Sequence, residues 1–502
     1  MRARQTARER TVRERPPGLV ASVAERGFLI GGDRVARGGG GTYLHHDPTT
    51  GRPQAEVPLA GAAEVDQAVA AAAAAAPAWR ATAPDERARI LFRLADLLEA
   101  ASEECAVLGA LENGSPISVM QPGYYTAGFV RHYAGWVDKI EGRLVPTHGN
   151  TGLDQVRLEP YGVVGVMPPW NGPMMGMGQK AAPALAAGNT VVAKPPEIAP
   201  FGAYRFAELA LEAGLPPGVL NVVAGGPEAG EALVRHPLVA KVSFTGGREV
   251  ARRVIEASAA TIKPLTLELG GKSANIVFPD ADLDAAATQA AFFGVVLLSG
   301  QGCALPTRLF VHDEVYDDVV GRLVAALLGA PVGDPLDPEV QMGPVVTRSA
   351  QERILAVVDR AESEGSGRLL TGGRPLTGPF ADGFFVAPTA FGDVDPDSDL
   401  ARQEVFGPVL SVFRFSSEDE VVARANETEF GLGAMVHSAD LARASRVAGR
   451  LQAGMVVVNG AMTMSPNAPF GGYKQSGYGR EGGREGLDEF LQRKNVLFAG
   501  LD

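Results

Sequence analysis

Short apolar runs alternate with longer segments of mixed polarity between Gly162 and Gly270. Each short run has the length and β-branched content of a buried strand, and each longer segment is typical of a helix. The predicted strands are Val163–Val166, Thr190–Ala193, Val219–Val223, Val242–Phe244 and Leu265–Leu267. The predicted helices between them are Met174–Leu185, Phe201–Glu212, Glu228–Arg235 and Glu249–Ala259. This alternation predicts βαβ units and a parallel sheet covered by helices on both faces.

A second α/β series is predicted from about Ala281 to Asn459, with strands that include Leu309–Val311 and Met455–Val458. The region before the first series is predicted to be helical. It contains the amphipathic segment Asp85–Leu98 and a run of alanines, Ala70–Ala76. Alanine is the strongest helix former, so the run is interpreted as a surface helix that stops at Pro77.

Two segments fit neither series. Arg143–Val145 and Gln155–Leu158 have the pattern of a β-hairpin, and Phe490–Phe498 resembles a terminal strand. Strands outside a core expose unpaired edges that need a partner. The pattern therefore favours a homo-oligomer, a homodimer or homotetramer, formed through an extended sheet.

Composition narrows the function classes. A chain of 502 residues predicts two or three domains, and its net charge of -12 argues against nucleic-acid binding. The two cysteines, Cys105 and Cys303, form no disulfide framework, and the seven histidines show no metal-ligand spacing. We therefore expect no metal and a reducing cytoplasm.

The first residues, Met1 to Pro17, are rich in arginine and lack the apolar segment of a secretory signal. Residues 1–20 are predicted to form a disordered, solvated basic tail, with a binding role as the alternative. No apolar stretch reaches the length of a membrane span without charged or turn residues, so no membrane partner is expected.

Cys303 is the first candidate for chemistry, because it follows Gly300-Gln301-Gly302 at the end of an apolar, helix-like segment. A thiol on a glycine-flanked turn can be approached closely by a substrate, and thiolate is the strongest nucleophile among ordinary side chains. The alternative is that an isolated cysteine is a small buried hydrophobe.

Seven short segments follow one another along the chain in a characteristic order and spacing. They are Pro168–Asn171, Val192–Glu197, Phe244–Gly247, Leu267–Lys272, Gly300–Cys303, Glu404–Pro408 and Pro469–Gly477. Together they resemble the NAD(P)-dependent aldehyde dehydrogenase superfamily, from about Phe28 to the C-terminus. The run Leu-Glu-Leu-Gly-Gly-Lys followed by Gly-Gln-x-Cys is the most specific part.

The resemblance implies an aldehyde dehydrogenase-like α/β fold. Its parts are a Rossmann-type parallel-sheet cofactor domain, a second α/β catalytic domain and a small β oligomerisation element. Residues 21–138 and 160–270 would form the NAD-binding domain and 271–475 the catalytic domain. Residues 139–159 and 487–502 would supply the oligomerisation strands.

The resemblance also implies a mechanism. Cys303 would add to the aldehyde carbon, and the resulting tetrahedral oxyanion would release hydride and leave a thioester. Glu268 would activate the hydrolytic water, since its apolar neighbours raise a carboxyl pKa, although pairing with Lys272 is the structural alternative. The Asn171 amide would stabilise the oxyanion, unless it only caps the next helix. Lys180 and Glu481 would relay protons away from the site.

The cofactor implied is NAD, with NADP as the less favoured alternative. Phe244-Thr245-Gly246-Gly247 would hold the pyrophosphate at a helix N-terminus, although this chain has Gly247 where the family usually has Ser, and Ala251 where it often has Gly. Lys194 and Glu197 would hold the adenosine ribose, and the carboxylate would repel a 2′-phosphate. Glu404 and Phe406 would hold the nicotinamide ribose. The remaining cofactor positions implied are Met167, Pro168, Trp170, Gly226, Leu269 and Gly270.

By the same resemblance, the helix after Asn171 and the segment before Pro469 would line the substrate tunnel. Glycines and methionines there favour a roomy, apolar tunnel for a bulky hydrophobic aldehyde, although core packing of the methionines is an equal alternative. No aromatic cage or cationic anchor is present, which argues against betaine aldehyde or a carboxylate-bearing semialdehyde. Leu297-Leu298-Ser299 also departs from the usual residues and is expected to alter the tunnel wall. The substrate positions implied are Gly172, Met175, Gly176, Gln179, Gly302, Met462, Met464 and Phe470.

Two other functions stay open at this point. A CoA-acylating dehydrogenase would pass the acyl group to CoA, a route that needs no hydrolytic base and is disfavoured by Glu268. A non-catalytic NAD-binding paralogue is disfavoured by the joint presence of Cys303, Glu268 and Asn171.

Overall fold

The computed structural model describes residues 12, 15, 18, 23, 26–147 and 152–499. The strands are β1 Phe28–Ile30, β2 Asp33–Val35, β3 Thr42–His46, β4 Pro53–Pro58, β5 Arg143–Val145, β6 Gly152–Pro160, β7 Val163–Met167, β8 Thr190–Ala193, β9 Leu220–Val222, β10 Val239–Thr245, β11 Leu265–Glu268, β12 Ala274–Val277, β13 Arg308–His312, β14 Arg368–Thr371, β15 Thr389–Gly392, β16 Val409–Phe415, β17 Gly433–His437, β18 Met455–Val458, β19 Gly477–Tyr478 and β20 Leu491–Ala499.

The helices are α1 Ala62–Ala81, α2 Pro84–Ala100, α3 Ser102–Asn113, α4 Pro122–Ala134, α5 Pro173–Gly176, α6 Ala182–Ala186, α7 Phe201–Glu212, α8 Pro227–Arg235, α9 Arg248–Ala259, α10 Leu283–Ala291, α11 Tyr316–Gly329, α12 Arg348–Ser363, α13 Asp399–Arg402, α14 Glu418–Asn426, α15 Leu441–Arg450 and α16 Gly483–Asp488. Two π-helical turns, Met177–Ala181 and Phe292–Val296, continue the helical path after α5 and α10.

The first sheet has the order β19-β11-β10-β7-β8-β9-β1-β2. Its five central strands run parallel and are buried along almost their whole length, which explains their nearly continuous apolar sequences. The chain moves outward from β7 to β8 and β9, then returns to place β10 and β11 on the other side of β7. This reversal creates a crevice at the carboxyl ends of β7 and β10, where open α/β sheets bind ligands.

The second sheet has the order β14-β15-β16-β13-β12-β17-β18, and all of its strand pairs except β14–β15 are parallel. Separate apolar cores lie on either face of this sheet. Both predicted α/β series are thus confirmed as sheet-and-helix layers.

The third sheet is small and has the order β20-β6-β5. The predicted hairpin pairs Arg143 with Val156, and the predicted terminal strand pairs antiparallel with β6 along its whole length. Most side chains of β5 and β20 are exposed, including Leu144, Leu497 and Phe498. The predicted exposed edges are therefore present.

The prediction that the alanine helix stops at Pro77 is wrong, because α1 continues to Ala81. Pro77 is exposed, while Trp79 is 1% exposed and its indole N–H donates to the Leu185 carbonyl at 3.2 Å. Burial of this large side chain stabilises the last turn despite the hydrogen bond that proline cannot donate. The helix is also not a purely surface element, since Ala68, Val69 and Ala72 are buried in the first core.

One further expectation changes. Arg15, which falls in the predicted solvated tail, forms ion pairs with Asp47 and Asp334 at 2.8 Å each, because its guanidinium fits between two buried carboxylates. Most other tail residues lie outside the described ranges.

The helical path Leu283–Gly300 has the length and hydropathy of a membrane span, with a mean hydropathy of 1.4, but it includes the charged Asp284 and the glycine Gly294, so the expectation on apolar stretches is not altered. Its buried alanines pack with β12 and β13 in one core of the second sheet, as in a core helix.

Candidate active site

The carboxyl ends of the five central strands carry most of the residues expected to bind the cofactor. Met167 ends β7, Thr245 ends β10 and Lys194 follows β8. Gly226 and Gly247 are the N-cap residues of α8 and α9, and a Cβ at either position would meet no atom within 4 Å. Two helix N-termini with open approaches therefore face the crevice, which is an arrangement suited to a pyrophosphate.

The loop that carries Cys303 is set by a run of left-handed residues. Leu298, Ser299 and Gly300 have φ angles of 53°, 53° and 70°. A Cβ at Gly300 would collide with the Gly407 carbonyl, so only glycine allows the loop to touch the segment that carries Glu404 and Phe406. The Cys303 loop and this part of the expected cofactor site are thereby positioned by one contact.

Gln301 fixes the same loop from its other side. Its side-chain oxygen accepts the Val346 N–H at 3.1 Å, and its side-chain nitrogen donates to the Leu298 carbonyl at 3.1 Å. Its backbone carbonyl accepts a hydrogen bond from Asn171 Nδ2 at 2.7 Å. The predicted oxyanion donor therefore lies directly against the Cys303 loop, and no side-chain cap is formed at the following helix.

Glu268 ends β11 and is only 2% exposed. Neither carboxylate oxygen has a hydrogen-bond partner among the described residues, and Oε1 lies close to Gly471. Burial raises the pKa of Glu268 well above its usual range, the nearby Glu481 raises it further, and Lys180 opposes the shift. Lys272 Nζ is likewise unpartnered among the described residues, so the alternative Glu268–Lys272 pair is not formed.

Lys180 and Glu481 form a buried ion pair close to Glu268. Lys180 also donates to Ser243 Oγ at 3.3 Å. Glu481 is paired through its backbone with Phe470, one of the expected substrate residues. The two residues expected to relay protons are thus in direct contact.

Burial, followed by the negative charges of Glu404, Glu268 and Glu481, raises the pKa of the Cys303 thiol to about 12. The resting site therefore holds a thiol. A thiol must lose its proton before it can act as a nucleophile, and a nearby carboxyl with a raised pKa, such as Glu268, is suited to the role of a general base.

The residues expected at the nicotinamide end also come together. Glu404 Oε1 accepts the Gly271 N–H at 2.9 Å, and burial raises the pKa of this carboxyl to about 7. The Trp170 and Phe406 rings meet edge to face with centroids 5.4 Å apart, and Phe406 has a strained φ of 50°. At the adenosine end, Lys194 Nζ donates to the Gly225 carbonyl at 2.7 Å.

The expected substrate residues divide into two groups. Met175, Met462 and Met464 are partly exposed, and Gln179 Nε2 lies 3.6 Å from Met464 Sδ, which connects the two predicted walls. Gly176 departs from its expected place in the tunnel, because a Cβ there would lie within 3 Å of Pro168 and Pro169. Its role is close packing of the helix on that loop. Met174 and Met177 are buried in the first core, as the packing alternative predicts.

The model of the aldehyde dehydrogenase family matches residues 36–496. The chain belongs to the aldehyde dehydrogenase family. It is 44% identical over 451 residues to a betaine aldehyde dehydrogenase of Cereibacter sphaeroides, a match that covers 89% of this chain and 92% of that protein.

Two solved structures are similar over nearly the whole chain. The NAD+ complex of aldehyde dehydrogenase from Bacillus cereus has a TM-score of 0.93 and 40% identity, and covers 97% of this chain and 99% of that one. An Escherichia coli NADP-dependent enzyme has a TM-score of 0.92 and 37% identity, and covers 96% of this chain and 99% of that one. The predicted fold class and enzyme class are confirmed.

Three residues that shape this aldehyde dehydrogenase site were not identified as such from the sequence. Gln301 anchors the loop as described above. Asn113 Nδ2 donates to the Trp170 carbonyl at 3.0 Å, and Arg353 donates to the Val405 and Phe406 carbonyls at 2.6 and 3.3 Å. Gln301 lies within a motif and could have been found there, whereas Asn113 and Arg353 come from helices distant in sequence.

Proposed function

We propose that this enzyme oxidises a bulky or hydrophobic aldehyde to the carboxylic acid with NAD, through a thioester on Cys303. The observation that carries the proposal is the buried carboxylate of Glu268, which has no hydrogen-bond partner among the described residues and whose charge adds to burial and Glu404 in raising the pKa of the Cys303 thiol. A buried carboxylate with a raised pKa is suited to accept protons.

The chemistry assigns one task to each group. Glu268 accepts the thiol proton, and the Cys303 sulfur adds to the aldehyde carbon. Asn171 Nδ2 donates to the oxyanion that forms there. Glu404 and Phe406 would hold the nicotinamide end of NAD, which would supply the acceptor for the hydride that leaves this carbon. Once Glu268 has passed on the thiol proton, it takes a proton from water as the water attacks the thioester, which releases the acid and the thiolate.

Proton removal from Glu268 is assigned to Lys180 and Glu481. Their ion pair is buried, and the charges of both residues act on the Glu268 carboxyl. A proton gained by Glu268 therefore changes the electrostatic energy of the Lys180–Glu481 pair. The alternative is that the ion pair is purely structural. The two roles can be distinguished, because loss of a proton relay slows hydrolysis whereas loss of a structural pair lowers the stability of the fold.

The fit to NAD rests on the two open helix N-termini, the Lys194 region and the Trp170–Phe406 contact. Glu197 follows the carboxyl end of β8 with Lys194, and its charge adds to burial in raising the pKa of the Tyr43 hydroxyl. Such a charge disfavours a 2′-phosphate, so NAD is preferred and NADP is the weaker cofactor.

The other parts of the proposal concern the whole enzyme. Residues 21–138 and 160–270 form the NAD-binding domain and 271–475 the catalytic domain, in agreement with the two large sheets. The small third sheet joins subunits into a homodimer or homotetramer, and the enzyme acts in the cytoplasm.

The test is a screen of aldehydes by NADH absorbance, with free acid and acyl-CoA measured as products. Free acid without CoA supports the proposal, and a requirement for CoA identifies the acylating route instead. Cys303→Ser is expected to lower turnover by at least ~10⁴-fold. Full NADH production by that variant, with NAD binding intact, would exclude the thioester route.

A further inference from the structure

A row of polar side chains lies on one face of β10 and β11, although both strands lie inside the first sheet. Lys241 and Ser243 alternate with apolar residues along β10, and Thr266 and Glu268 do the same along β11. The register pairs Ser243 with Thr266, so the four side chains share one face, and all four are buried. Strands buried on both faces are normally apolar, and burying polar groups costs free energy. The row therefore indicates a function.

Hydrogen bonds lead along this row away from Glu268. Lys180, one of the two predicted relay residues, donates to Ser243 Oγ at 3.3 Å. Thr266, the neighbour of Ser243 on the adjacent strand, donates through Oγ1 to Glu489 Oε2 at 2.8 Å. A hydroxyl can accept one proton while it donates another. The two hydroxyls therefore lie between a lysine near the base and a second carboxylate.

Glu489 connects the row to solvent. It directly follows α16, and its side chain is 25% exposed, in contrast to the buried members of the row. After burial and Glu481, its charge is a further cause of the raised pKa of Glu268. Glu489 is thus close enough to Glu268 to interact with it electrostatically and exposed enough to exchange protons with water.

Lys241 holds this carboxylate in place. Its Nζ lies 3.1 Å from Glu489 Oε2. The ammonium also lies 5.7 Å from the centroid of the Tyr161 ring and 5.8 Å from that of the Phe490 ring. Contacts of this kind stabilise a cation, so they help to fix the ammonium that binds Glu489.

We propose that Glu489 is the exit group through which the proton taken from the hydrolytic water reaches solvent, with Lys241 as its positioning residue. The inference rests on the proposed function and adds where the proton leaves. Lys180 gives a proton to Ser243 while each hydroxyl passes its own proton to the next oxygen, and Glu489 releases the last one to water. Lys180 regains a proton from Glu268, which frees the base for the next turnover.

Glu489→Gln tests the exit group, because the amide can still accept the Thr266 hydrogen bond but cannot take up a proton. Hydride transfer precedes hydrolysis, so the initial burst of NADH with octanal should remain, while the steady rate falls at least ~10-fold. Imidazole should restore part of the steady rate in the variant and leave the wild type unchanged, since a small buffer molecule can collect the proton at the exposed end.

Glu208→Gln is the matched control. The Glu208 side chain is 23% exposed and is also ion-paired, with Arg26 and Arg34, but it lies on α7. This variant should change neither the burst nor the steady rate, and it should not respond to imidazole.

The structural alternative is that Glu489 only neutralises the buried charge of Lys241. The double variant Lys241→Met/Glu489→Gln removes both charges, and it keeps the test usable if Glu489→Gln alone fails to fold. An exit group predicts a double variant that is stable but still slow and still restored by imidazole. A recovered steady rate in the double variant, or an unchanged steady rate or a lost burst in folded Glu489→Gln, would overturn the exit group. Failure of the wild-type enzyme to form free acid from octanal would instead overturn the proposed function.

Discussion

At the scale of single residues, the site combines groups that are poorly stabilised in the folded state with groups that are firmly held. Glu268 is buried without a hydrogen-bond partner among the described residues, whereas Gln301 has partners for its side-chain oxygen and nitrogen. Leaving a buried carboxyl unpartnered costs stability, and such groups are concentrated at sites of chemistry. The arrangement fits a base that must exchange protons beside a loop that must not move.

Glu268→Gln tests this interpretation. The variant keeps the shape of the side chain but cannot accept a proton, so steady turnover is expected to fall by about 10²–10⁴-fold. Because the pKa of Glu268 is raised, wild-type activity should increase as the pH rises through that pKa, and the variant should lose this limb of the profile.

Stability provides the second measurement on this variant. A carboxyl with a raised pKa favours the folded state only while protonated, and this benefit is lost as the pH rises through the folded-state pKa. Glu268→Gln should therefore raise the melting temperature near and above neutral pH while activity falls. Reduced stability together with unchanged activity would contradict the role of Glu268 as the base.

Gly247→Ser tests the cofactor site at the position where this chain departs from the family pattern. A Cβ at Gly247 meets nothing within 4 Å, and its φ of -74° and ψ of 149° suit serine. The hydroxyl can bind a phosphate oxygen, and a hydrogen bond to a charged group corresponds to roughly a 10-fold gain in affinity. Quenching of protein fluorescence by NAD measures it.

Gly61→Ser is the control for that variant, because Gly61 is the N-cap residue of α1. Both substitutions should stabilise their helices by about 0.3 kcal/mol. Only Gly247→Ser should change the Kd for NAD. A shift of equal size in both variants would indicate a general effect on the fold.

At the scale of elements, the Cys303 loop and the Glu404–Gly407 segment act as one unit because they touch at Gly300. The sequence predicts that both segments belong to the site, since each contains a motif. It does not predict their contact, which depends on three consecutive left-handed residues and on Arg353 binding the Val405 carbonyl. Similarly, the effect of Pro77 on α1 was outweighed by burial of Trp79, a tertiary interaction absent from any local pattern.

Gly300→Ala should therefore disturb both halves of the site. The φ of 70° is unfavourable for alanine, and its Cβ would push against Gly407. We expect kcat to fall at least ~10-fold and the KM for NAD to rise, because the two loops separate. Gly321→Ala on α11 should change neither constant. A fall in kcat with an unchanged KM for NAD would show that the loops move independently.

At the scale of the whole molecule, the two large sheets could be predicted because their apolar runs are local and periodic. The residues that join distant segments, such as Asn113 below Trp170, could not, since a single polar residue on a helix carries no sign of its partner. The third sheet lies between these cases. Its strands were predictable from their patterns, whereas the role proposed for its exposed side chains, the joining of subunits, stays a prediction.

The proposed assembly through this sheet leads to the last prediction. Leu144 lies on the edge strand β5 and is 69% exposed, and the opposite edge strand, β20, exposes Leu497 and Phe498 at 48% and 41%. Unpaired strand edges with apolar side chains pair readily with another chain, whereas a charge there opposes pairing. Leu144→Arg should therefore give a smaller species than the wild-type protein in light scattering at micromolar concentration. Leu441→Arg is the matched control, because Leu441 is also 69% exposed but begins α15, far from the strand edge in sequence. A wild-type monomer, or equal dissociation of both variants, would mean that the third sheet is not the interface.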